Sequence, residues 1–186
     1  KMLAEPSAVP CQNRLATSLA LQAEQQRDWL SAAKWRTLEQ QQFPDYWPAY
    51  EKAVDAWLAA DRIKEAENAL RRARERFPND YRPILLSARV QEQTGHHARA
   101  IDLIRAGCER FPSARALRIR AAQLLSEHGH ADDAQKFILP LLTKSLEDFS
   151  ILHDLARAAE RRGDWNDAYQ WWNFAREHFP SHPLGY

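Results

Sequence analysis

The sequence predicts an all-α chain built from repeated pairs of helices, and three series of residues at one period support this. Alanine recurs every 34 residues, Phe-Pro pairs fall on the same spacing, and so do small or β-branched residues. A fixed period of this length is typical of repeat architectures, whose units bury their apolar faces against their neighbours. The series are Ala32, Ala66, Ala100, Ala134 and Ala168; Phe43, Phe77, Phe111 and Phe179; and Ala20, Val54, Ala88, Ala122 and Ala156.

Each unit is predicted to contain a helix, a short polar turn, a second helix and a Phe-Pro joint. In the third unit the first helix is expected over residues 83–93 and the second over residues 98–110. Gly95 allows the left-handed backbone of a helix C-terminus, and Pro112 cannot continue a helix. Two helices joined by so short a turn form an antiparallel hairpin.

Two units depart from this pattern. The first has no glycine at its turn and carries Glu39 where later units have Ala73, Gly107 and Ala175. The fourth lacks the closing Phe-Pro and has Pro140 inside its second helix, where a lost hydrogen bond and a ring clash should kink it. We therefore expect an irregular stretch over residues 136–148.

The alanine series is interpreted as structural, because a residue without bulk lets neighbouring helices approach closely. A bulky residue at Ala66, Ala100 or Ala134 is expected to destabilise the protein by about 1–3 kcal/mol through overpacking.

The fifth unit resembles the tetratricopeptide repeat family, which has a 34-residue unit with a Gly-Asp-aromatic turn, alanine in the second helix and proline at the joint. The matching residues are Ala156, Gly163, Trp165, Ala168, Ala175 and Pro180. The resemblance covers about residues 13–180 and implies a right-handed α-solenoid superhelix. Its units are 13–46, 47–80, 81–114, 115–148 and 149–180, after an N-terminal extension over 1–12; residues 181–186 are expected to begin a further unit or a linker.

Catalysis is not indicated by any motif in this sequence. A Gly-rich phosphate loop, Gly-x-Ser-x-Gly and Cys-x-x-Cys are all absent from it, and no cofactor is expected. Cys11 and Cys108 form no spacing motif, and Cys108 is interpreted as a buried structural thiol. The histidines at the turns, with His178 and His182, are expected to be solvated rather than metal ligands.

The sequence contains no apolar run long enough for a membrane span and no basic-then-apolar leader. A cytoplasmic location is favoured, with a mature periplasmic or secreted fragment as the alternative.

The resemblance implies a non-catalytic scaffold that binds a peptide or protein segment on the concave face formed by the first helices. Residues offset from the small-residue series are predicted to lie on that face: Asp55, Arg82, Leu85, Arg89, Ile119, Gln123, His153 and Arg157. Residues 82–125 carry eight arginines and three acidic residues. Because arginine suits carboxylate and phosphate groups, an acidic peptide, the C-terminus of another protein or an anionic sugar or phosphate is one predicted guest. A solvated charged face is the alternative, and nucleic acid is disfavoured because the flanking segments are neutral or acidic.

Two other hypotheses remain open at this stage. The array is a regulatory or scaffolding segment of a larger bacterial protein of cell-envelope polysaccharide biosynthesis or export, or it self-associates through Trp165, Trp171 and Trp172. The aromatic residues of that last helix, Tyr169 included, are interpreted chiefly as core between consecutive hairpins.

Overall fold

The computed structural model describes residues 14–142 and 146–180, and these residues form α-helices joined by short turns without a strand. Within these residues the helices follow one another in five pairs, each joined by a short turn, as the repeat predicts, and each pair is called a hairpin below. In the third unit they begin and end within one residue of the predicted bounds. Their ranges are α1 Arg14–Gln25, α2 Trp29–Gln42, α3 Trp47–Ala59, α4 Ile63–Arg76, α5 Arg82–Gln93, α6 His97–Arg110, α7 Arg115–Glu127, α8 Ala131–Ile138, α9 Leu146–Arg162 and α10 Trp165–His178.

The turn inside each hairpin places one residue in the left-handed region of backbone space. Glycine occupies this position in the last three hairpins, with φ between 76° and 79°. Arg27 and Asp61 occupy it in the first two, with φ of 57° and 55°. All five hairpins therefore share one turn conformation, although the sequence shows a glycine in only three of them.

The Phe-Pro joints end the second helices. The backbone N–H of Phe77 donates to the carbonyl of Ala73 at 3.0 Å, and Phe43, Phe111 and Phe179 make the same bond one turn back. The Phe77 ring then packs edge-on against Trp47 at 5.6 Å between centroids. Phe179 packs in the same way on Phe149 at 5.7 Å, so the phenylalanine closes its hairpin onto the start of the first helix.

The protein separates into two compact units, one ending at Val90 and the other beginning at Gln91. Each has its own core. The first contains Trp47, Val54, Ala66, Leu70 and Leu86 among other residues. The second contains Leu125, Ile138, Leu152, Trp171 and Phe174, again among others.

The residues of the alanine series are buried, as predicted. Ala32, Ala66, Ala100 and Ala134 are fully buried and Ala168 is 3% exposed. The small-residue series is fully buried as well. A side chain larger than alanine at these positions would meet the neighbouring helix.

A buried ion cluster stabilises the first hairpin. Arg36 is 1% exposed, and its Nε and Nη2 donate to the two carboxylate oxygens of Glu24 at 2.8 and 3.1 Å. Its Nη1 donates to Glu39 Oε2 at 2.9 Å, and the Thr17 hydroxyl donates to Glu39 Oε1 at 2.7 Å. Glu39 departs from the repeat pattern in the sequence, and in the structure its hydrogen bonds link α1 to α2.

A second buried polar network joins α7, α9 and α10. The Ser126 hydroxyl donates to Asp167 Oδ2 at 2.5 Å and accepts from Trp171 Nε1 at 3.0 Å. Arg162 Nη2 lies 3.0 Å from the same carboxylate oxygen. Burial raises the pKa of Asp167 against these hydrogen bonds. Its other oxygen, Oδ1, is buried without a hydrogen-bond partner among the described residues.

Pro140 ends helix α8 instead of kinking it, contrary to the prediction. Helix α8 ends at Ile138, and residues 139–141 continue as a single 3-10 turn. Proline cannot donate the hydrogen bond that would extend the helix, so the helix stops instead of bending. The irregular stretch expected over 136–148 is observed at 139–142, and residues 143–145 lie outside the described part of the protein.

Two aromatic residues of α10 that the sequence predicts to be core residues are exposed instead. Trp171 is fully buried and Trp172 is half-buried, as expected of core residues. Trp165 and Tyr169 are 70% and 64% exposed, because they lie on the side of α10 that points away from the hairpin core. The burial of Trp171 also removes it from any surface through which a second copy of the protein could bind.

Among the described thiol and imidazole groups, all but His178 are placed as the sequence predicts. Cys108 is buried, which raises the pKa of its thiol. His96, His97, His128 and His130 are exposed. His178 is half-buried beside the carbonyl of Phe174, whereas Cys11 and His182 lie outside the described residues.

Residues 14–142 and 146–180 contain neither a group of three candidate metal ligands nor a candidate membrane-spanning helix. Within them, no three His, Cys, Asp or Glu side chains are grouped so that they could hold a metal ion. No helix in these two ranges is both long and apolar enough to cross a bilayer.

Candidate functional site

The first helix of each hairpin has a buried side and an accessible side, and the accessible side is the candidate surface. We call it the first-helix face. On α3, Val54 is fully buried while the Asp55 side chain beside it is 47% exposed. On α5, Ala88 is fully buried while the Arg89 side chain is 37% exposed. Leu21, which precedes Asp55 by one repeat, is 46% exposed on α1.

Three charged side chains meet on this face in the first compact unit. Arg89 Nη2 lies 2.6 Å from Asp55 Oδ1, and Arg89 Nη1 lies 3.6 Å from Glu51 Oε1. Glu51 and Asp55 are one helical turn apart on α3, so both reach the same guanidinium from α5. We call Glu51, Asp55 and Arg89 the α3–α5 charge cluster.

The surroundings of Asp55 raise its pKa from the ordinary aspartate value. Partial burial raises the pKa of Asp55, Arg89 lowers it, and Glu51 raises it again. Smaller effects come from Lys52, which lowers it, and from Glu24 on α1, which raises it. The net result is a pKa above the ordinary aspartate value, so the carboxylate is incompletely compensated where it lies.

Arg82 and Leu85 lie on α5 but outside the cluster. Arg82 Nε donates to Asp80 Oδ2 at 2.8 Å, and the guanidinium carbon lies 4.9 Å from the centroid of the Trp47 ring. This arginine therefore packs against the start of the preceding hairpin. Leu85 is half-buried.

In the second compact unit, Ile119 and Gln123 lie on α7. Ile119 is half-buried against the core. Gln123 is half-buried too, and its Oε1 accepts a hydrogen bond from Arg120 Nη1 at 3.1 Å. Both side chains are thus engaged by their own unit.

His153 and Arg157 on α9 are brought together with Glu160, which falls on the same offset series, and with Trp172 on α10. Arg157 Nη1 donates to Glu160 Oε2 at 2.6 Å, and Trp172 Nε1 donates to Glu160 Oε1 at 2.9 Å. These bonds, that of Trp172 first, lower the pKa of Glu160. The His153 ring lies edge-on to Trp172 at 5.6 Å.

The predicted residues thus form two local groups, one at Asp55 and Arg89 and the other at His153 and Arg157. The carboxylates Glu51 and Glu160, which fall on the same offset series in the sequence, complete these groups. Their spacing in the sequence indicated this grouping, because charges three or four residues apart share one side of a helix.

The arginines of residues 82–125 are largely compensated by carboxylates. Five of the eight contact acidic side chains of their own compact unit. The pairs are Arg82 with Asp80, Arg89 with Glu51 and Asp55, Arg105 with Asp133, Arg115 with Asp148, and Arg120 with Glu92. The excess of positive charge along the sequence is therefore partly neutralised on the surface.

No protein-family model matches this sequence, and no curated protein matches it either. Solved structures do match. A putative kinesin light chain from Podosopora anserina with nearly identical TPR-like repeats has a TM-score of 0.58 at 15% identity, and the match covers 92% of this chain and 97% of that chain. The tetratricopeptide repeat protein TTC0263 of Thermus thermophilus has a TM-score of 0.54 at 14% identity, with 93% and 94% covered.

A third match is YrrB, a tetratricopeptide repeat protein with an unusual peptide-binding site. Its TM-score is 0.50 at 13% identity, and the match covers 91% of this chain and 88% of YrrB. At such identities the likeness concerns the fold, and function has to be argued from the site. The 34-residue series, the paired helices and these matches agree, and this chain is a helical repeat protein with the tetratricopeptide repeat fold.

Proposed function

We propose that this protein is a non-catalytic interaction scaffold whose first-helix face binds a peptide or protein segment. The observation that carries the proposal is that each first helix has one buried side and one accessible side. Their small residues are buried, while adjacent positions carry accessible charged and apolar side chains such as Leu21, Asp55, Arg89 and Arg157. Such a surface binds through several shallow contacts rather than one deep pocket.

The peptide-binding site of YrrB is consistent with this use of the fold. It is a property of that protein, whereas for this chain the accessible side chains of the first-helix face support the proposal. Within the protein, charged side chains of the first-helix face form ion pairs and hydrogen bonds. The same groups would recognise a bound peptide or protein segment.

Matched substitutions test the proposal. A peptide selected from a random phage-displayed library on the intact protein is titrated by isothermal titration calorimetry into the wild type and four variants. Leu21→Ser and Arg157→Gln alter the first-helix face. Leu38→Ser on α2 and Arg176→Gln on α10 make the same chemical changes on second helices.

We expect at least one face variant to change the dissociation constant about fivefold, since one exposed contact contributes up to about 1 kcal/mol. Both second-helix variants should bind like the wild type. If selected peptides lose affinity only in the second-helix variants, the binding surface lies elsewhere and the proposal is wrong.

A further inference from the structure

Two histidines from the turns of the third and fourth hairpins lie in contact on the surface of the second compact unit. The ring centroids of His97 and His128 are 4.8 Å apart, with 53° between the ring planes. Both residues are exposed. The neighbouring His96 is engaged differently, with its Nδ1 atom 2.9 Å from the Thr94 hydroxyl. The sequence predicts solvated imidazoles at these turns, but it does not show this contact, because the two residues belong to consecutive repeats.

The ends of two helices hold this pair of histidines in place. His97 is the first residue of α6, and the carbonyl of His96 before it accepts from the Ala100 N–H at 3.1 Å. His128 follows the last residue of α7, and its own N–H donates to the Leu125 carbonyl at 3.2 Å. Because both backbones are already ordered, the two side chains would lose little freedom on binding a common ligand.

The separation of the two rings suits two ligands of one metal ion. A bond of about 2.0–2.1 Å from a metal to an imidazole nitrogen leaves the ring centroid roughly 3.2 Å from the ion. Centroids that are 4.8 Å apart then subtend about 97° at the ion, which lies between the right angle of square-planar sites and the tetrahedral angle. Rotation about the terminal torsion of each exposed side chain points one nitrogen of each ring at that position.

The chemistry of the two ligands determines which ions fit. Imidazole nitrogens suit Zn²⁺, Cu²⁺ and Ni²⁺, whereas Mg²⁺ and Ca²⁺ take oxygen ligands. The helix dipoles contribute little here, because the positive start of α6 lies beside the negative end of α7 and the two fields offset each other. Binding therefore depends on the imidazole nitrogens themselves.

We propose that His97 and His128 together bind one divalent transition-metal ion that prefers imidazole, Cu²⁺ more tightly than Zn²⁺, with water in the remaining positions. The order of affinity follows the general preference of nitrogen ligands among these ions. A bound ion joins the start of α6 to the end of α7. It therefore stabilises the second compact unit by an amount that grows with the concentration of free metal over the dissociation constant.

Metal titrations of the complete chain test the proposal. The parent protein for these measurements carries Cys11→Ser, since a free thiolate would bind the metal as well. Isothermal titration calorimetry should show one tight Cu²⁺ site, and pulsed electron paramagnetic resonance should count two imidazoles on the ion. His97→Gln and His128→Gln should each weaken Cu²⁺ binding about tenfold and leave one coordinated imidazole. Zn²⁺ should bind the parent more weakly than Cu²⁺ and should raise its midpoint of thermal unfolding.

The matched controls are His96→Gln and His130→Gln, which remove exposed imidazoles from the same two turns, and His153→Gln on α9. Each control should bind Cu²⁺ like the parent and keep two coordinated imidazoles, and circular dichroism establishes that every variant is folded. Three results overturn the proposal: a parent that binds no Cu²⁺ or coordinates it through one imidazole, unchanged affinity in His97→Gln or His128→Gln, or an equal loss in any control.

Discussion

At the turns inside the hairpins, the backbone conformation is constant while the residue type varies. Arg27 and Asp61 adopt the left-handed conformation that glycine adopts at Gly95, Gly129 and Gly163. This conformation costs a residue with a Cβ roughly 1 kcal/mol or more, because the Cβ crowds the following carbonyl. An added Cβ at any of the three glycines would meet nothing within 4 Å, so the cost there is conformational rather than steric contact with a neighbour.

Arg27→Gly should therefore stabilise the protein, by about 1 kcal/mol, because glycine relieves the strain at φ 57°. The Arg27 side chain is exposed, so few contacts are lost. Urea unfolding followed by circular dichroism measures the change in the free energy of unfolding. Gly163→Ala is the reciprocal variant and should destabilise by a similar amount; a loss of stability in Arg27→Gly would contradict the strain argument.

At the scale of helices, the buried network of Ser126, Arg162, Asp167 and Trp171 joins three elements through one carboxylate. Burial raises the pKa of Asp167, with Ser126 and Arg162 acting in the opposite direction. The folded protein consequently holds a proton on Asp167 at pH values where the unfolded protein has released it. The contribution of this group to stability is therefore largest at low pH and falls as the pH rises through the raised pKa.

Asp167→Asn should remove this pH dependence, because asparagine keeps the hydrogen-bonding shape without a titratable proton. The free energy of unfolding of the wild type minus that of the variant should decrease as the pH rises from about 4, the ordinary aspartate pKa, towards neutrality. Urea titrations across that range measure it. Asp132→Asn, at an exposed position of α8, is the control, and a difference that rises with pH would show that the carboxylate is stabilised by Arg162 instead.

The sequence predicted the elements well because their signals are local and repeated. The period located the hairpins, the Phe-Pro pairs located the helix ends, and the buried alanines marked where helices meet. Pro140 was recognised as a break, but whether a proline bends a helix or ends it depends on packing around it, which the sequence does not contain. The exposure of Trp165 was missed for the same reason, since the side of a helix that an aromatic residue occupies depends on its neighbours.

The candidate surface was predictable only in part. The offset from the small-residue series placed Asp55 and Arg89 on one side of their helices, and both side chains are partly exposed there. It could not show that they contact each other, because that pair joins α3 to α5 across a full repeat. Charges counted along the sequence indicated a basic segment, whereas carboxylates, several of them from other helices, neutralise part of it.

At the scale of the whole molecule, each of the two compact units has buried residues of its own that stabilise it. In repeat proteins each element depends mainly on its immediate neighbours. Leu70 belongs to the first core and Ile104, fully buried on α6, to the second compact unit. Damage to one unit should therefore be felt mainly within that unit.

Leu70→Ala should cost about 2–5 kcal/mol and should accelerate amide hydrogen exchange mainly in residues 47–90. Ile104→Ala should have a similar cost and should accelerate exchange mainly in residues 97–138. Hydrogen exchange followed by mass spectrometry distinguishes the two patterns. Equal acceleration throughout the described residues in both variants would show that the protein unfolds as a single cooperative body.

The ion cluster of Glu24, Arg36 and Glu39 limits how freely this array can be re-engineered by exchanging modules. Repeats are attractive building blocks because one hairpin can replace another. If α4 were grafted in place of α2, Leu70 would take the place of Arg36 and Ala73 that of Glu39. Glu24 would then face an apolar surface without its cation. The first hairpin therefore has to be exchanged as a whole, and any rearranged version of this protein has to keep α1 and α2 together.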